Sequence, residues 1–181
     1  MFYQINNNDL LKITGDFKVV GMLDECIFIE DERELKEPFL LLEDLPQSLK
    51  DKMQKELEEA KENKIKEINN QCDLLLKTFK SDALGEVYIY DAKLEDQLNL
   101  MGLVLAGVDS FFRCQKQEEA FKQNIPHSKE QLKKLYQDAL LYKSRIIGYC
   151  GELKKRVENC NSLDEIREIT WNEIKPAQEE N

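Results

Sequence analysis

The sequence predicts an α+β protein, mainly α, in four parts. Residues 1–45 read as a small acidic β-rich module and 46–80 as one long linking amphipathic helix. Residues 81–173 read as a helical C-terminal domain with a short strand or hairpin, and 174–181 as a flexible tail. Three observations carry this. The first segment has short apolar runs broken by turn residues, the second has apolar residues at near-heptad spacing, and Leu94 to Phe112 is apolar on nearly every side.

In the first module, Phe17-Lys18-Val19-Val20, Cys26-Ile27-Phe28-Ile29 and Phe39-Leu40-Leu41-Leu42 are the apolar runs. Asn6-Asn7-Asn8-Asp9, Thr14-Gly15-Asp16 and Gly21 punctuate them, which predicts three or four strands. The charge run Glu30 to Glu37 predicts an exposed loop. Asp44-Leu45-Pro46-Gln47 then has a carboxylate cap with proline in the first turn, a helix start. Leu49, Met53, Leu57, Ala60, Ile65, Ile68, Cys72, Leu75 and Phe79 form its stripe. About thirty residues at roughly 1.5 Å each give a rod of about 45 Å, suited to a spacer, a self-associating coiled coil or packing within the chain. Ser81 to Gly85 ends it, Glu86 to Tyr90 alternates like a short strand, and Asp91 is placed to cap the next helix.

That next helix is the expected core. Leu94, Leu98, Met101, Leu105, Val108 and Phe112 recur at steps of four and three, while Leu100, Leu103, Val104 and Phe111 fill other faces. Burying roughly ten such side chains would contribute on the order of 15–30 kcal/mol before chain entropy. A membrane span is excluded, because the run is about 15 residues where about 20 are needed, and Asn99 and Asp109 interrupt it. Gly102 and Ala106 share a face and allow close helix packing, within the core or in a dimer. After a polar connection, Ser128 and Gln131 form a capping box. The stripe behind it runs from Leu132 through Ile146, Cys150, Leu153 and Val157 to Cys160. Ser162 with Glu165 opens a last short helix ending near Trp171.

The formal charge of −10 argues against nucleic-acid backbones and anionic membranes as partners. Residues 1–45 hold eleven acids against four bases, a solvated surface or a docking face for something basic. No basic, continuously apolar leader opens the chain. Five scattered cysteines without a Cys-x-x-Cys read as reduced thiols, most of them small core hydrophobes.

Catalytic, cofactor-binding and metal residues are expected to be none. The chain has no Gly-rich phosphate loop, nucleophile elbow or His-x-x-x-His, and it has a single histidine. Candidate interaction residues are Asp96 and Gln97 in the first turns of the expected core helix, Arg113, His127, Gln131 and Trp171. Cys114 beside Arg113 reads as a buried structural thiol at a helix end or as a thiol of lowered pKa. His127 precedes a helix cap, where it anchors the chain's entry into the helix or donates to a partner. A lone Trp171 plugs a helical layer or anchors a partner. A small-molecule site around His127 and Asp96 requires one apolar pocket that joins them.

An ordered set of short motifs carries a resemblance. Lys66-Glu67-Ile68-Asn69-Asn70-Gln71-Cys72, Ser81-Asp82-Ala83-Leu84-Gly85, Tyr90, Asp96-Gln97-Leu98-Asn99-Leu100-Met101-Gly102, His127-Ser128-Lys129-Glu130-Gln131-Leu132 and Ile169-Thr170-Trp171 follow one another. Over roughly residues 60–173 this resembles an uncharacterised domain family of tailed bacteriophages and prophages, found in tail-fibre and tail-fibre-assembly-type proteins. The segment after Phe112 departs from that pattern, being rich in charge and amide where relatives carry a Trp-bearing insertion. The resemblance implies a tail-fibre assembly chaperone or accessory tail-fibre protein. It would act by binding the phage tail-fibre polypeptide in the bacterial host cytoplasm during assembly, or in the virion tail. It implies no catalytic residue. The alternative is a structural tail component, a homo-oligomer assembled through the long helix.

Overall fold

The computed structural model describes residues 1–171; the expected tail and the last two residues of the expected helical domain lie outside them. The chain divides into two compact units, Met1–Ala60 and Lys61 onward. The helix α1 (Gln47–Leu75) begins in the first and ends in the second.

The first unit is an antiparallel sheet of β1 (Phe2–Asn6), β2 (Lys18–Leu23), β3 (Cys26–Glu30) and β4 (Leu40–Leu42), in the order β2-β3-β1-β4. Alternation puts Tyr3, Ile5, Ile27 and Ile29 on one face, where Leu10, Ile13, Phe17, Leu35 and Phe39 cover them. Phe28 points the other way, and on β2 beside it Gly21 leaves room for Leu49 of α1. A methyl at Gly21 would lie 3.0 Å from Leu49 Cδ1. The charge run after β3 is not wholly exposed. Asp31 is buried, because the Arg33 guanidinium closes on it at 2.9 and 2.6 Å. Arg33 also donates to the Thr14 carbonyl (2.6 Å) and the Asp16 carbonyl (3.1 Å), clasping two loops together. Gly15 sits between them at φ +91°, with no space for a side chain against that guanidinium.

The second unit is more sheet-rich than the expected helical domain with one strand or hairpin. Its strands β5 (Thr78–Ser81), β6 (Tyr88–Asp91), β7 (Ser110–Gln115) and β8 (Gln123–His127) form an antiparallel sheet in chain order. The helices α2 (Leu94–Ala106), α3 (Lys129–Asn159) and α4 (Leu163–Glu168) complete it. Phe79, Tyr90, Cys114 and Phe112 share one face of the sheet and pack with Leu100 of α2 and Leu132 and Leu135 of α3. Further along, α3 lies against α1: Lys154 reaches Asn69 Oδ1 (3.1 Å), and the Tyr142 hydroxyl donates to the Leu75 carbonyl (3.0 Å).

Four further expectations are corrected. The long helix stops at Leu75, and Phe79 belongs to β5, where it pairs with Tyr90. Pro46 lies ahead of the helix, its carbonyl accepting from Lys50 N (3.1 Å), while the Asp44 carboxylate pairs with the Lys50 ammonium. Asp91 ends β6 and pairs with Lys122, so it does not cap α2; the capping position is Lys93, without a side-chain cap. Most consequentially, Leu94 to Phe112 is not one buried helix. Gly107 adopts the left-handed conformation (φ 65°, ψ 35°), donates to the Leu103 carbonyl at 3.0 Å, and turns the chain into β7.

Candidate functional site

The face of α2 that meets the core carries Leu100, with Leu103 and Val104 partly buried beside it. The expected core stripe lies on the other side. Leu94 is 71% exposed, Leu98 53%, Leu105 79%, and Met101 and Val108 are open as well. These positions keep the alternating steps of four and three that line a helix seam. On β7, Phe112 and Cys114 point inward, so alternation turns Phe111 and Arg113 outward, and Phe111 is 66% exposed. Phe111, Leu98 and Gly102 border a depression of about 500 Å³ on one flank of α2. On the other flank, Leu94, Leu98, Met101, Tyr136 and Leu140 line a groove of about 350 Å³ between α2 and α3. A monomer's exposed leucines are usually scattered; a contiguous row with a groove beside it marks a contact surface.

Asp96 and Gln97 lie at the edge of this surface. Gln97 Nε2 donates to the Ala92 carbonyl (2.6 Å), and its Oε1 accepts from Lys143 Nζ (3.0 Å), fastening the start of α2 to α3. Asp96 lines both depressions, its charge placed at the positive end of the helix dipole. Arg113 stands exposed beside Phe111.

His127 and Gln131 do not reach this surface. His127 is 2% exposed, the last residue of β8, edge-on to Tyr90 and Phe112. Its Nδ1 lies 2.8 Å from the Ile125 carbonyl, which can only accept, so Nδ1 carries the proton. Nε2 therefore accepts from the Tyr90 hydroxyl at 3.1 Å. Burial holds the His127 pKa below its ordinary value and pushes those of Tyr90 and Cys114 up. Cys114 is thus a structural thiol, in a strand. Gln131 completes the capping box of α3: it accepts from Ser128 N (2.8 Å) and donates its backbone N–H to Ser128 Oγ (3.2 Å). His127 lines neither depression that Asp96 lines, so neither depression joins the two residues as a small-molecule site there requires.

Trp171 lies elsewhere, against Tyr149 with ring centroids 5.7 Å apart, at the mouth of a groove formed by α1, β5 and α3. The Ser81-Asp82-Ala83-Leu84-Gly85 motif is structural. Ser81 Oγ donates to Asp138 Oδ2 (2.5 Å) and accepts from Ala83 N (3.1 Å), while Gly85 turns at φ +90°. Among the described residues, no cluster of three or more His, Cys, Asp or Glu could hold a metal, and no helix is long and apolar enough to cross a membrane.

The second unit is thus an α+β domain: a four-stranded antiparallel sheet with helices on its core face and an uncovered apolar ridge. A family described as Domain of unknown function (DUF4376) matches residues 59–174, most of the chain, and the chain belongs to that family. No curated protein and no solved structure matched it.

Proposed function

We propose that the chain is a non-catalytic binding protein whose α2 ridge receives an apolar segment of a partner polypeptide. The observation that carries this reading is the open row Leu94, Leu98, Met101 and Leu105, continued by Phe111 across the Gly107 corner. Shielding such a row from water is worth roughly 25 cal/mol per Å² of apolar area, before the entropy of association. The flanking groove gives a partner helix or strand something to key into. The stripe that the sequence placed in the core is a surface. In line with the resemblance to tailed-phage proteins, the proposed partner is a tail-fibre polypeptide. The chain would serve as an assembly chaperone or accessory protein in the bacterial host cytoplasm or on the virion tail.

Co-expression with a tail-fibre polypeptide tests this. The expected result is co-purification and a larger yield of properly assembled fibre, both lost in the double variant Leu98→Asp/Leu105→Asp. Neither effect with the wild-type chain overturns the tail-fibre assignment. Unchanged co-purification by the double variant overturns the ridge.

A further inference from the structure

We propose that the groove beside Trp171 is a second binding site, for a carboxylate carried on an apolar body. It lies within the second unit, between the end of α1, β5 and α3, has a volume of about 710 Å³, and has a largely apolar surface to which Leu75, Leu141, Tyr142 and Ile146 contribute. That size falls inside the range of about 300–1,000 Å³ typical of small-ligand pockets.

The polar groups on its wall divide into those already paired and those left over. The two carboxylates are spoken for. Lys134 donates to Asp82 (2.6 Å) and to Asp138 (3.0 Å), and Asp138 also accepts from Ser81 Oγ (2.5 Å). The Arg145 guanidinium, in contrast, has no hydrogen-bond or ion-pair partner among the described residues. Trp171 Nε1 is buried and likewise unpartnered among the described residues. An indole N–H can only donate, and a buried one left without an acceptor costs about 1–3 kcal/mol. In a protein of net charge −10, the groove therefore keeps an exposed cation without an internal partner beside an apolar wall. A guanidinium fork fits a carboxylate in two-point fashion. A phosphate would place more negative charge near Asp82 and Asp138, and the apolar wall would give it nothing. The same chemistry is offered by a free aryl or alkyl carboxylic acid and by the C-terminus of a peptide ending in apolar residues.

Trp171 is the chain's single tryptophan, so its emission reports directly from the groove. The full-length chain is titrated with 4-phenylbutyrate and its neutral counterpart 4-phenylbutanol, and with N-acetyl-Leu-Phe as free acid and as amide. The expected result is a saturable emission change with the acids. Affinity falls at least tenfold for the neutral analogues and for Arg145→Met, is partly restored in Arg145→Lys, and is unchanged in Leu98→Asp, which lies on the α2 ridge. If the dipeptide acid binds at least tenfold tighter than phenylbutyrate, the natural source is a chain terminus; the reverse order identifies a free acid. No saturable change with either acid overturns the site. So does equal binding of acid and neutral forms, or an Arg145→Met variant that binds like wild type.

Discussion

His127 shows how a candidate site residue becomes a structural one. It anchors β8 to β6 as a neutral ring, donating to Ile125 and accepting from Tyr90. Burial lowers its pKa from an ordinary 6.5, so the folded state refuses a proton that the unfolded chain takes up. The stability it contributes is present above pH 6.5 and is lost as pH falls below it. Tyr90 and Cys114 have pKa values raised above 10.0 and 9.0, so their contribution is present below those values and is lost on the alkaline side. Urea unfolding followed by Trp171 emission is therefore expected to show a plateau between about pH 6.5 and 9 with a decline on each side. His127→Gln lowers the plateau by about 1–3 kcal/mol and flattens the acid limb. An acid limb between pH 6.5 and 3.8 that survives this substitution places the titration elsewhere; below 3.8, Asp31, Asp44 and Asp82, held down by Arg33, Lys50 and Lys134, add a decline of their own. Sequence placed this histidine correctly before a helix cap, but nothing in its neighbours indicated the partner on β6, 37 positions earlier.

At the scale of the element, α2 was found in the sequence but taken to run on to Phe112 and to be covered on nearly every side. Periodicity identifies a stripe without saying what covers it, and the regular 94-98-101-105 row is as well suited to an open seam as to a core. The core is met by Leu100, Leu103 and Val104, which looked like fillers. The strand that follows was hidden because Phe111 and Phe112 prolong the apolar run. Its signals were Gly107 and the inward pair Phe112 and Cys114, with outward Phe111 and Arg113 between and before them. By contrast, the Ser128–Gln131 box was legible, since a cap is a contact three residues long. Two measurements test the orientation of α2. Leu98→Asp changes the unfolding free energy by less than about 0.5 kcal/mol, as expected of a surface position, whereas Leu100→Ala costs about 2–5 kcal/mol. Comparable losses would mean that the ridge is buried. At the corner, Gly107→Ala is expected to cost about 1–2 kcal/mol in the same measurement, because a Cβ disfavours the left-handed conformation there.

At the scale of the whole molecule, two cores, one around Tyr3 and Ile29 and one around Tyr90 and Leu135, each close within their own unit. Ile29→Ala is expected to cost the first unit about 2–5 kcal/mol. Hydrogen exchange would show this as lost protection in β1 and β3, with β6 and β7 unaffected. Loss of protection across both sheets would make the chain a single cooperative unit. The sequence separated the two regions by composition, yet it assigned too little sheet to the second. There, strands interleave with helices and none shows a long alternating run.

The ridge on α2 has a consequence for the chain in a test tube. Molecules that show one another a greasy stripe stay dispersed only while like charge holds them apart, and here that charge vanishes near pH 4.8. Turbidity is expected to peak around that pH and to shrink when Leu98 and Leu105 are made polar. A haze that ignores those two leucines would show that some other surface is the sticky one.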